Sequence, residues 1–104
     1  PRAEPGARCA INLQTLERDK LARGQLLTRP GALPTTTTAD VQIDWLPGAP
    51  EQTDVTAVEL LCGTCERRAR LAPIGGEALR PGHSSLARLH VDGPAISVLP
   101  GKLF

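Results

Sequence analysis

Two short motifs in this 104-residue chain carry the residue types with the most chemistry, and the first is a pair of cysteines. Cys62 and Cys65 bracket a Gly-Thr dipeptide, a Cys-x-x-Cys spacing that can ligate zinc or cycle between dithiol and disulfide. A structural zinc ion needs four ligands, and Cys9, His83 and His90 are the other cysteine and histidine residues of the chain. We predict two reduced thiols flanking a turn and no metal, with zinc or redox chemistry at this pair as the alternatives.

The second motif is a dense run of positive charge, Arg-Arg-Ala-Arg, directly after the cysteine pair. Guanidinium groups neutralise the phosphates of an RNA backbone without reading its sequence. The alternative is a solvated outer face on which the arginines pair with nearby glutamates. The candidate RNA-binding residues are Arg67, Arg68, Arg70, Arg88 and His90.

Common catalytic motifs do not occur in the sequence. A GTPase needs the phosphate-binding loop Gly-x-x-x-x-Gly-Lys-Ser/Thr, and this chain lacks it. The His-Glu-x-x-His and Gly-x-Ser-x-Gly motifs are also missing. We therefore predict no catalytic residues and no cofactor in this chain.

Short strands must position these motifs, because ten glycines and ten prolines leave little room for long helices. Apolar and polar residues alternate, with the period of half-buried strands, in six segments. These segments are residues 7–13, 39–45, 58–62, 65–71, 87–91 and 96–99. Gly63-Thr64 supplies a two-residue turn, which predicts a hairpin. The pattern predicts an all-β fold, an antiparallel barrel or sandwich.

One apolar core is predicted from the inward positions of these strands. Trp45, the single tryptophan, is expected to anchor it. The predicted core comprises Val41, Ile43, Trp45, Val58, Leu60, Ala87, Leu89, Val91, Ile96 and Val98.

Overall composition places the chain in no special class. Twelve basic and eleven acidic residues give a net charge of +1, so bulk charge provides no argument for nucleic acid or a membrane surface. No stretch has the length of a membrane span, and the first residues lack the apolar region of a signal peptide. Three cysteines, an odd number, argue against a disulfide framework. We predict a cytoplasmic protein without a membrane partner, cut from a longer chain.

Two stretches of sequence resemble translational GTPases of the elongation factor Tu superfamily. Residues 6–13, Gly-Ala-Arg-Cys-Ala-Ile-Asn-Leu, and the later Arg23-Gly24 followed by Leu26-Leu27 are similar to the end of domain 2 in that superfamily. Residues 58–71 and the Val-Leu-Pro-Gly ending at 98–101 resemble domain 3 of one branch, the bacterial selenocysteine-specific elongation factors.

The resemblance implies a domain organisation. Residues 1–30 would be the C-terminal end of domain 2 and a linker, with a strand or hairpin left over from that barrel. Residues 31–104 would be domain 3, an antiparallel β-barrel of about six short strands. The parent protein would be a GTPase that binds GTP and Mg²⁺ in a domain upstream of this chain.

The resemblance also implies a function. The chain would be a non-catalytic β-barrel module of a factor that delivers selenocysteinyl-tRNA to the ribosome. Its partners would be that aminoacyl-tRNA, the other domains of the same factor and the ribosome. The alternative is a free-standing β-rich interaction domain with a zinc or thiol site at the Cys62 and Cys65 turn.

Overall fold

The computed structural model describes residues 2–101, which contain six β-strands, one short 3₁₀ turn and no α-helix. The 3₁₀ turn spans Arg18–Lys20. The strands are Thr35–Thr36 (β1), Thr38–Asp44 (β2), Thr56–Cys62 (β3), Cys65–Pro73 (β4), Ser84–Val91 (β5) and Ile96–Ser97 (β6). No helix in this part of the chain is long and apolar enough to cross a membrane.

The four longer strands form one antiparallel sheet in the order β2-β5-β4-β3, and β1 pairs with β6 in a separate two-stranded sheet. Strands β3 and β4 are the predicted hairpin, with Cys62 opposite Cys65 across the turn. Gly63 begins this turn at a φ of +61°, a backbone conformation that glycine adopts without steric cost. The hairpin prediction is therefore confirmed.

The apolar core lies on one face of the four-stranded sheet. Every residue of the predicted core is either buried there or packed against the buried cluster, so that prediction is confirmed. Trp45 is only half-buried, and its indole N–H donates a 2.8 Å hydrogen bond to the Pro50 carbonyl. Leu79, which lies outside the six predicted strands, is completely buried. It is held by two backbone hydrogen bonds to Gln52, of 2.8 and 3.0 Å.

The all-β, antiparallel class is confirmed, whereas a barrel is not. Strands β2 and β3 are the two edges of the four-stranded sheet, and residues 2–101 form no closed barrel. The core face is instead covered by β6, which carries Ile96, and by the loop that carries Leu79.

The strand predicted at residues 7–13 is wrong, as is the N-terminal strand or hairpin inferred from the resemblance. Residues 2–28, called the N-terminal block below, contain no strand. Ile11 is 60% exposed although its neighbours alternate like a strand. A strand forms only when a neighbour pairs with its N–H and C=O groups, and no such neighbour lies beside this segment in the described structure. The division at residue 30 stays a prediction.

Candidate functional site

Four of the five candidate RNA-binding residues share the outer face of the sheet. Arg68 and Arg70 lie at alternate positions of β4, and Arg88 and His90 at alternate positions of β5, all exposed to solvent. Arg70 is directly opposite His90 in the β4–β5 register. Because side chains two residues apart on a strand point to the same face, adjacent strands bring these four together. We call them the outer basic cluster.

Aspartates accompany this cluster. Arg88 on β5 donates two hydrogen bonds, of 2.8 and 3.2 Å, to the Asp40 carboxylate on β2, which is its partner in the strand register. These hydrogen bonds lower the pKa of Asp40 and raise the pKa of Arg88. Arg70 forms a second ion pair with Asp92, at 3.3 Å. Glu59 lies opposite Arg68 in the β3–β4 register.

Neither aspartate was predicted from the sequence as a partner of these arginines. Glutamates were the expected acidic partners, whereas Asp40 and Asp92 form the ion pairs. Asp40 lies 48 residues from Arg88, so only the pairing of β2 with β5 reveals that pair. Asp92 could have been found from the sequence, because it directly follows the strand that carries His90.

Hydroxyl and imidazole groups complete the outer face. His90 lies opposite Thr38, and its Nδ1 is 3.1 Å from the Thr38 hydroxyl oxygen. The Asp44 carboxylate accepts a 2.5 Å hydrogen bond from the Ser84 hydroxyl at the other end of the same strand pair. The outer face therefore presents donors and acceptors in mixed order rather than one block of positive charge.

Arg67 is separated from the outer basic cluster. It lies between Arg68 and Glu66 on β4, so the period of two turns its side chain toward the opposite face, where it is half-buried. Its Nη1 donates a 2.9 Å hydrogen bond to the Glu66 carbonyl. Its Nε is buried and has no hydrogen-bond partner within residues 2–101.

The two cysteines of the turn are both buried free thiols, and Cys9 is an exposed free thiol. Cys62 and Cys65 occupy facing positions, as the hairpin predicted. Over the described residues, no cluster of three or more His, Cys, Asp or Glu side chains has the arrangement to hold a metal ion. The hairpin places two thiols at facing positions. The described residues provide no third or fourth ligand beside them for a zinc ion.

The N-terminal block packs on this turn through a glycine. A Cβ at Gly24 would lie 2.7 Å from the Cα of Cys65 and 3.3 Å from its sulfur. Gly24 also has a φ of +98°, which side chains rarely adopt. The Arg23-Gly24 pair of the resemblance is thus a point of close backbone approach between the N-terminal block and the hairpin.

Comparison with known protein families, with curated protein sequences and with solved structures found no match.

Proposed function

We propose that this chain is a non-catalytic module of a translation elongation factor that delivers selenocysteinyl-tRNA to the ribosome. The module contributes phosphate contacts to the tRNA and packs against a neighbouring domain of the same factor. GTP and Mg²⁺ are bound by another domain of the parent protein, which acts in the cytoplasm. The observation that carries the proposal is the outer basic cluster on one exposed sheet face.

The ion pairs of this cluster are compatible with phosphate binding. Side chains of Arg70 and Asp92 are about half exposed, at 52% and 49%, and the Arg88 and Asp40 pair is exposed to a similar degree. Exposed pairs contribute only about 0 to 1 kcal/mol, so a phosphate can compete for either guanidinium. The acids keep the face near neutrality, and the resulting RNA contacts are weak, salt-sensitive and independent of sequence.

The contact of Gly24 with Cys65 supports the second part of the proposal, interdomain packing. In the resemblance, Arg23-Gly24 belongs to the end of domain 2 and the hairpin to domain 3. A glycine at van der Waals distance from a strand backbone is what a tight junction between such parts needs. We also propose that the four-stranded and two-stranded sheets are parts of a domain 3 barrel that closes in the parent factor.

A tRNA titration tests the proposal. Fluorescence anisotropy with labelled tRNA is recorded at several salt concentrations for the natural chain and for an Arg68→Glu/Arg70→Glu variant. The matched control is Arg8→Glu/Arg18→Glu, which changes the net charge equally at exposed positions of the N-terminal block. We expect the first variant alone to lose affinity and to flatten the dependence of log Kd on log salt.

Equal losses in both variants would show that only net charge matters. Unchanged affinity in the β4 variant would assign its arginines to a solvated outer face, where Arg70 already pairs with Asp92.

A thiol or zinc site is the second candidate, favoured by the facing positions of Cys62 and Cys65. In this second proposal the chain is a free-standing β-rich interaction domain that carries the thiol or zinc site. Titration with Zn²⁺ in a competition assay with a chromophoric chelator separates the two proposals. Tight binding of one zinc ion that Cys62→Ser abolishes supports the interaction domain, and its absence leaves the elongation factor proposal.

A further inference from the structure

A cavity of about 530 Å³ lies between the N-terminal block and the turn that joins β3 to β4. Leucines of the N-terminal block form one side, and Cys62, Cys65 and Ile96 lie on the other. The leucines of the wall are Leu13, Leu16, Leu21, Leu26 and Leu27. This size lies within the roughly 300 to 1,000 Å³ typical of sites for small molecules, which are also mostly apolar.

Arg67 is the one charged residue among those that line the cavity, all of which belong to the described part of the chain. Its Nε is buried without a hydrogen-bond partner there, and its Nη1 is used by the carbonyl of the adjacent Glu66. The ion pairs among the described residues do not include Arg67, so its guanidinium is available to attract an anion that enters the cavity.

We propose that this cavity binds an amphipathic monocarboxylate, a small molecule with one carboxylate and an unbranched alkyl chain. The carboxylate accepts a charge-assisted hydrogen bond from the guanidinium group of Arg67. The alkyl chain lies along the leucines. A single guanidinium matches one negative charge, and the leucines can cover an alkyl chain, which a small inorganic anion lacks. This site lies away from the outer basic cluster, so the inference does not depend on the tRNA proposal.

Calorimetric titration of the full chain with octanoate tests the inference. The comparison ligands are 1-octanol, which has the alkyl chain without the charge, and inorganic phosphate, which has the charge without the chain. We expect saturable binding of octanoate with one site per chain, and at least tenfold weaker binding of the other two. Octanol binding as tightly as octanoate would overturn the role of Arg67, and no saturable octanoate binding would overturn the site.

Two neighbouring arginines provide the matched variants. Arg67→Gln removes the charge from the cavity, whereas Arg68→Gln removes the same charge from the exposed face. A hydrogen-bonded charge contributes enough that Arg67→Gln should weaken octanoate binding roughly tenfold to a hundredfold. Arg68→Gln should leave it within a factor of two. Equal effects of the two substitutions, or none from Arg67→Gln, would contradict the proposal.

A second measurement uses the natural chain alone and therefore does not depend on how any variant folds. Cys62 and Cys65 line the cavity, whereas Cys9 is exposed and is not among its lining residues. Alkylation by iodoacetamide is followed at each cysteine by peptide mass spectrometry. Octanoate should slow the alkylation of the two turn cysteines and leave the alkylation rate of Cys9 unchanged. If octanoate changed none of the three rates, binding in this cavity would be refuted.

Discussion

Replacing Leu79 with alanine tests the unexpected part of the core. Leu79 is completely buried in the segment between β4 and β5, where no regular strand holds it. The substitution removes three carbon atoms, and about 0.8 kcal/mol for each gives a loss of about 2.4 kcal/mol. Because the protein collapses only partly into the space left by the Leu79 side chain, the expected loss of unfolding free energy rises to roughly 3 to 4 kcal/mol. A domain of this size has only about 5 to 15 kcal/mol in total.

The single tryptophan provides the assay. Trp45 packs against the core and should report its loss by fluorescence during urea unfolding. The expected midpoint shift is about 1 to 4 M urea, because the loss is divided by an m value of roughly 1 to 3 kcal/mol per M. The matched control is Leu86→Ala, the same truncation at a position of the outer face that is 57% exposed. It should cost less than about 0.5 kcal/mol.

Two results would refute this reasoning. Equal midpoints for the two alanine variants would mean that the segment around Leu79 does not pack on the sheet. A large change in the m value would mean that the substitution altered the denatured or native ensemble rather than one packing contact.

Two further predictions concern the glycine contact and the Asp40 ion pair. Gly24→Ala should loosen the N-terminal block and raise the alkylation rate of Cys65, because the added Cβ would lie 2.7 Å from the Cys65 backbone. The control is Gly6→Ala, at a similar positive φ but with nothing within 4 Å of the added Cβ, which should not change that rate. The pKa of Asp40, measured by NMR titration, should lie below its ordinary value of 3.8 and return toward it in Arg88→Gln. Because the folded-state pKa is lowered, the pair stabilises the fold above about pH 4 and this contribution is lost as the pH falls through the lowered pKa; an identical Asp40 titration in Arg88→Gln would contradict the assignment.

Local pattern was sufficient for the hairpin and for the inward face of the sheet. The alternation around Val58 and Leu89 places every second side chain on the core face, and Gly63-Thr64 matches a two-residue turn. These features depend on neighbours in sequence, so composition and period determine them. The same alternation at residues 7–13 was misleading, because a strand also needs a partner whose identity the period does not encode.

Tertiary structure alone decided the contacts between distant segments. The order β2-β5-β4-β3 brings Asp40 to Arg88 and leaves the sheet edges unjoined. It also buries Leu79, whose loop has no periodic signal. Each of these outcomes follows from which strands pair and which surfaces cover the core. Such choices minimise exposed apolar area and unpaired backbone groups over the whole chain, and no short stretch of sequence specifies them.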